Sequence, residues 1–358
     1  MGTTVYLSTG RGVVALKEEA NGTDWKIEER HFLPDWEITE LHVDSQNRII
    51  AATRGDGVWF QEDTSGRGRT GGWVKPGSGR LGPSKVHCLA FDPVDPDTIY
   101  AGTEPIGIWV THDRGKNWEQ LEGVWKVPAI PSVTYPVPTV EAHVRDITID
   151  PNNRDVIYAA LQVGFMIKSS DRGKTWKLLD KGIDPDVHTL VIRPDDTKRI
   201  YAATGGHGFR EGQTNGRALY ASEDAGETWK ALATDFYQEY SVSLAMHPAN
   251  ANLLLTTVAN NHPPWKGATG AEAKVIISKD GGKSWTEAKG VPAEIGPEFP
   301  GSIVFDPAKP NDAYLCTHKG SMFRSRDAGE NWERMPVDLA SAIELIDVGL
   351  GDMKVVHS

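Results

Sequence analysis

One octet recurs five times in this chain, and it limits the possible folds more than any other feature. THDRGKNW (Thr111–Trp118), SSDRGKTW (Ser169–Trp176), SEDAGETW (Ser222–Trp229), SKDGGKSW (Ser278–Trp285) and SRDAGENW (Ser325–Trp332) all fit the pattern Ser/Thr-x-Asp-x-Gly-x-x-Trp. The flanks repeat as well. An octet is typically followed by a variable loop and then a strand-like run with an Asp-Pro-like stop, as in VHCLAFDP, VRDITIDP and VHTLVIRP. A second run ends in small residues (TIYAGT, VIYAAL, RIYAAT), and a Gly-containing loop leads through a third run back into the octet. Short apolar runs punctuated by Gly and Pro at regular spacing are the pattern of strands and turns. Each unit therefore carries four strands in about 45–58 residues, the size of a propeller blade.

Two weaker copies precede these five. Ile38–Lys75 holds ITELHVD, IIAATRGDGVWF and the distorted turn EDTSGRGRTGGW, and VYLSTGRGVVALKEEANGTDWKI before it supplies three strands without a leading one. AIELIDVGL and MKVVH, after the last octet, are spare apolar stretches. A spare C-terminal strand that completes the first blade would close the ring and remove its open edges. The expected fold is all-β: a seven-bladed β-propeller of four-stranded antiparallel blades, one domain over residues 1–358. The blades fall near 1–31 plus 341–357, 36–76, 85–122, 143–180, 187–232, 240–288 and 300–335.

The octet resembles the Asp-box, or BNR repeat, of sialidases, sortilin-type receptors, xyloglucan hydrolases and a photosystem assembly factor. That resemblance implies a β-turn joining the two outer strands of a blade, on the face opposite any active site. The side-chain chemistry agrees. Asp and Ser can bond N–H groups of their own turn, Gly takes a backbone conformation other residues resist, and Trp anchors the turn by burial. Asp113, Asp171, Asp224, Asp280 and Asp327 are therefore read as framework.

A net charge of -11, with no basic block, argues against nucleic acid and against a membrane surface. No apolar run approaches the ~18 residues of a membrane span. The N-terminus shows no basic and apolar leader, so a cytoplasmic location is the expectation. Cys88 and Cys316 sit in strand-like runs without metal-ligand spacing and read as buried free thiols.

Function in a propeller concentrates around the mouth of the central channel, in the loops after each second strand and at the start of each innermost strand. The latter column reads Thr39, His87, Arg145, His188, Val242 and Gly301; the loops carry Arg11, Arg54, Glu104, Gln162, His207, Asn261, His262, His318 and Lys319. The first reading is an enzyme with a His/Arg-lined site acting on a small polar or anionic molecule by hydrolysis or elimination. His188, His207, Glu104 and Arg145 are its candidate catalysts, and Arg11, Arg54, Gln162, Asn261 and Lys319 its substrate contacts. His87, His188, His262 and His318 come from different blades and suit one divalent transition metal, Zn, Mn or Fe.

In VEAHVRD, Glu141, His143 and Arg145 alternate, which in an extended segment puts them on one face as an anion clamp or a structural ion pair. The family resemblance supplies two alternatives: an Asp-box glycoside hydrolase acting on a carbohydrate, and a non-catalytic propeller for protein binding or assembly. Sialidases need three arginines, a Tyr–Glu pair and an acid Asp. Arg11, Arg54, Arg145, Arg210, Tyr237 and Glu239 are available, but no Phe/Tyr-Arg-Ile-Pro element is present. Xyloglucan hydrolases pair two propellers around a cleft, and only one fits in this length.

Overall fold

The computed structural model describes every residue except 1, 29–32, 34, 63–71, 78–81, 135–139, 207–216, 233, 261–271, 292–299, 319, 338, 340–351 and 358. The described residues form seven four-stranded antiparallel sheets, the blades of a propeller. The strands nearest the channel are Met353–His357, Ile38–Val43, Val86–Phe91, Val144–Ile149, Val187–Ile192, Leu244–His247 and Pro300–Phe305. Met353–His357 pairs antiparallel with Thr3–Thr9, Val355 opposite Val5, so the C-terminal strand does complete the first blade.

The second strand of a blade is covered on both faces by its neighbours. Alternation therefore gives way to runs that are buried throughout: Ile49–Thr53, Ile99–Thr103, Ile157–Leu161, Ile200–Thr204 and Ala313–Thr317. Their Ala and Gly residues let adjacent sheets approach. At Gly102 a Cβ would lie 2.7 Å from Val144 Cγ1 of the next blade. Apolar clusters accordingly bridge blade to blade. Ile108 packs with Val144 and Ala159, and Tyr158 with Val187 and Trp229. At the closing seam Tyr314 and Cys316 pack with Val5, Leu7 and Met353. There Arg324 reaches Glu18 at 2.7 Å and Asp312 at 2.6 Å, with its guanidinium over the Trp25 and Tyr314 rings. Both cysteines are buried free thiols.

The five octets are closed turns. In the second, Ser169 Oγ accepts from the Gly173 amide at 2.8 Å and donates to Asp171 Oδ1 at 2.8 Å. Asp171 Oδ1 also takes the Thr175 amide at 2.8 Å, and Oδ2 takes the Thr175 hydroxyl at 2.6 Å. Trp176 Nε1 donates to the Gly173 carbonyl at 2.9 Å. Gly173 has φ +84°, and a Cβ there would lie 2.5 Å from Leu121 Cδ1. Asp113, Asp224, Asp280 and Asp327 accept from the same turn positions. Register fixes the place of these turns. Ile157 pairs with Ser169, whereas Val144 pairs with Leu161, so the turns sit at the blade end opposite Arg145.

The Pro-rich insertion between the third and fourth blades, expected as an ordered rim segment, carries short 3-10 helices at Glu122–Lys126 and Ile130–Ser132. Val124, Val127 and Ile130 are buried in the cluster between those two blades. The described part of the insertion is thus a wedge between blades.

Candidate active site at the channel mouth

Five of the seven innermost strands begin with a β-bulge. The register slips at Ile38/Glu40, Val86/Cys88, Val144/Asp146, Val187/Thr189 and Pro300/Ser302. The extra residues are Thr39, His87, Arg145, His188 and Gly301, the column singled out in the sequence. A bulge sets two residues against one partner and re-aims their side chains. Neighbours in sequence therefore face the same space. Thr39 with Glu40, Arg145 with Asp146, His188 with Thr189 and Gly301 with Ser302 all line one cavity of about 250 Å³, joined by His87, Val242, Asp352 and Lys354.

A bulge also frees the amide two residues on, and in three blades a carboxylate of the preceding blade accepts it. Asp352 Oδ2 accepts from the Leu41 amide at 2.9 Å, Glu40 Oε2 from Leu89 at 2.6 Å, and Asp146 Oδ2 from Leu190 at 2.7 Å. Each carboxylate staples its blade to the following one. Glu40 Oε1 and Asp146 Oδ1 take no hydrogen bond from a described residue. Burial, then the Asp352 charge, raises the Glu40 carboxyl to about 8. Burial raises Asp146 to about 6, against the pull of the Leu190 amide. Burial disfavours the Lys354 ammonium, but the Asp352 and Glu40 charges outweigh it and raise its pKa. Arg145, half-buried at this cavity, donates no hydrogen bond to any described residue.

Beside the cavity lies a second polar group. Glu104 receives His87 Nε2 at 2.9 Å and Arg54 at 3.1 Å on Oε2, and Lys85 at 3.4 Å and the Glu141 amide at 3.3 Å on Oε1. Burial alone would raise this carboxyl, but the His87 and Arg54 bonds hold it well below the usual carboxylate range. With four donors it is a poor base, so the catalytic role expected for Glu104 gives way to an anchoring one. His143 stacks on His87, ring centroids 4.0 Å apart, and burial lowers the pKa of both imidazoles.

His188 is fixed by its Nδ1 bond to the Ser241 carbonyl at 2.8 Å, with Nε2 3.4 Å from Asp186. Gln162 donates to that same Asp186 at 2.7 Å. Arg54 also bonds Glu37 at 3.3 Å, Arg11 is exposed and His318 is half-buried. His207, Asn261, His262, Lys319 and Arg210 lie outside the described residues.

Two groupings need correcting. Glu141, His143 and Arg145 do not share a face, because the strand begins only at Val144: Glu141 is exposed, His143 buried and Arg145 turned to the cavity. Among the described residues His87 finds metal-ligand neighbours in Glu104 and His143, with neither His188 nor His318 in the group. Glu40 and Asp146 were missed, since strand alternation assigns the residue after a channel-facing one to the other face; their signal was the next column of the repeat alignment. Asp352 and Lys354 were missed because the closing strand had no place in that column.

A BNR-Asp box repeat model matches residues 108–121. A model described as sortilin, neurotensin receptor 3, matches residues 164–290 and 273–348, together just over half of the chain. The chain belongs to the BNR/Asp-box propellers related to sortilin and xyloglucanase. Among curated members, an oligoxyloglucan-reducing end-specific xyloglucanase of Emericella nidulans is 24% identical over 212 residues, 54% of this chain and 24% of that protein. A xyloglucanase of Paenibacillus sp is 24% identical over 284 residues, 70% of this chain and 26% of that one. The chain thus spans about a quarter of the length of these relatives. The crystal structure of a GH74 enzyme from Niastella koreensis superposes with a TM-score of 0.61 at 17% identity, covering 91% of this chain and 51% of that one. This Asp-box propeller shares the fold of about half of such an enzyme.

Proposed function

We propose that this chain is a carbohydrate-directed hydrolase that takes a single sugar residue into the channel mouth and cleaves its glycosidic bond. The observation that carries the reading is the pair Glu40 and Asp146 in one cavity with Arg145. Two carboxyl groups with separated pKa values, about 8 and about 6, are the acid and base that glycoside hydrolysis needs. Each uses one oxygen to staple the blades, which leaves the other for chemistry. At neutral pH Glu40 carries its proton and donates it to the leaving oxygen, while ionised Asp146 draws a proton from water. Arg145 offers its guanidinium to sugar hydroxyls or a sugar carboxylate.

The relatives named xyloglucanase favour a carbohydrate over the broader expectation of any small polar molecule. At about 250 Å³ the cavity is smaller than the ~300–1,000 Å³ of typical ligand pockets and suits one ring. The test is reducing-sugar release from xyloglucan, its oligosaccharides and a panel of other glycans. Wild type should cleave at least one, and Glu40→Gln and Asp146→Asn should each lose most of that rate while folding normally. No cleavage by wild type, or undiminished cleavage by both variants, sinks the proposal.

A further inference from the structure

Two imidazoles and a carboxylate meet beside the cavity, on residues the hydrolase reading does not use for chemistry. His87 sits on the bulge of Val86–Phe91, Glu104 just beyond the end of Ile99–Thr103, and His143 just before Val144–Ile149. Three elements from two blades thus bring two imidazoles and a carboxylate together. Their ligand atoms all lie within 4.8 Å of one another, and all three residues are buried, at 8%, 5% and 0% exposure. His87 Nε2 and Glu104 Oε2 are hydrogen-bonded at 2.9 Å, so an ion about 2.1 Å from each takes the place of that proton and parts the two atoms slightly.

Orientation favours the same use. His143 Nδ1 donates to the Glu141 carbonyl at 2.9 Å, which leaves Nε2 as the lone-pair nitrogen. A ligating imidazole is usually held in this way by a backbone carbonyl behind it. The His87 and His143 rings are stacked at 23°, so their edges run side by side. Arg54 and Lys85 bring positive charge to Glu104, but Glu37 lies 3.3 Å from Arg54 and Glu141 lies 3.9 Å from Lys85. The local charge is therefore close to balanced before an ion enters.

We propose that His87, Glu104 and His143 bind one divalent first-row transition ion. Two imidazoles and one carboxylate suit Zn²⁺, Mn²⁺ or Fe²⁺, and set them apart from the all-oxygen sites of Ca²⁺ and Mg²⁺. His87 also lines the channel cavity, so a bound ion borders it. The inference goes beyond the proposed hydrolysis and stands whether or not a glycan is cleaved.

The test uses the full chain, stripped with chelator and titrated with Zn²⁺ and with Co²⁺ as a spectroscopic probe. One ion per chain is expected, with a Co²⁺ absorption spectrum of mixed nitrogen and oxygen ligation. His143→Ala and Glu104→Gln should each weaken binding by about 100-fold or more. His188→Ala, outside the trio, should leave it unchanged. Zn²⁺ should raise the melting temperature of wild type but not of His143→Ala, which separates a lost ligand from a misfolded variant. Failure of wild type to bind a stoichiometric ion overturns the proposal. So does undiminished binding by both His143→Ala and Glu104→Gln.

Discussion

Replacing Glu40 by Gln tests the electrostatics of the channel without removing its staple. The amide oxygen of Gln can still accept the Leu89 amide that Glu40 holds at 2.6 Å. Only the ionisation is lost. The native carboxyl is raised to about 8, from an ordinary value of 4.5. Between those two values the folded chain binds more protons than the unfolded one, so this group's contribution to stability falls as pH rises. The slope approaches about 1.4 kcal/mol per pH unit, which sums to no more than about 5 kcal/mol by pH 8. Glu40 is half-buried, and channel water screens the charge, so on the order of 2–3 kcal/mol is expected. Urea unfolding of wild type and Glu40→Gln at pH 5, 6.5 and 8 reads this directly. The two should be nearly equal at about pH 5, and the variant should be the more stable by a margin that grows to about pH 8. A difference that is flat across this range, or that favours wild type at high pH, refutes the reasoning.

Hydrolysis should follow a bell, its rate falling below about 6 as Asp146 gains a proton and above about 8 as Glu40 loses one. A pH–rate profile checks this, and Glu40→Gln should abolish the alkaline limb along with most activity. Arg324→Ala should destabilise the closing seam by about 3–5 kcal/mol, because it leaves Glu18 and Asp312 without their shared cation. Urea unfolding would show it, and a loss below about 1 kcal/mol would mean the seam is held by packing alone. Asp171→Ala removes three turn bonds and should cost about 1–2 kcal/mol with the hydrolysis rate retained.

The blades were legible because the turn chemistry is local. Ser169, Asp171, Gly173 and Trp176 bond one another within eight residues, so the pattern appears in sequence whenever the turn forms. The column Thr39, His87, Arg145, His188, Val242 and Gly301 was legible for a related reason, since repeat alignment places it without knowledge of contacts. Glu40 and Asp146 were hidden by the bulge, which breaks the period of two on which strand reading depends. The partnership of His87 with Glu104 and His143 was hidden differently. It joins residues 17 and 56 positions apart through the packing of two blades, and no local pattern records that. His188 reads in sequence as a candidate catalyst and metal ligand, and only the fold brings the Ser241 carbonyl to its Nδ1.

The central claim is that function sits at the bulged channel mouth and the repeated octets are framework. The most direct measurement is the Kd of the oligosaccharide that wild type cleaves fastest, determined in a Glu40→Gln background that prevents turnover, with Arg145→Ala and Asp171→Ala added separately. Arg145→Ala should weaken binding about 10–100-fold, the worth of hydrogen bonds from a charged group, with its melting temperature unchanged. Asp171→Ala should melt earlier and bind as before. Unchanged affinity in Arg145→Ala, or affinity lost in Asp171→Ala while its fold stays intact, would contradict the account.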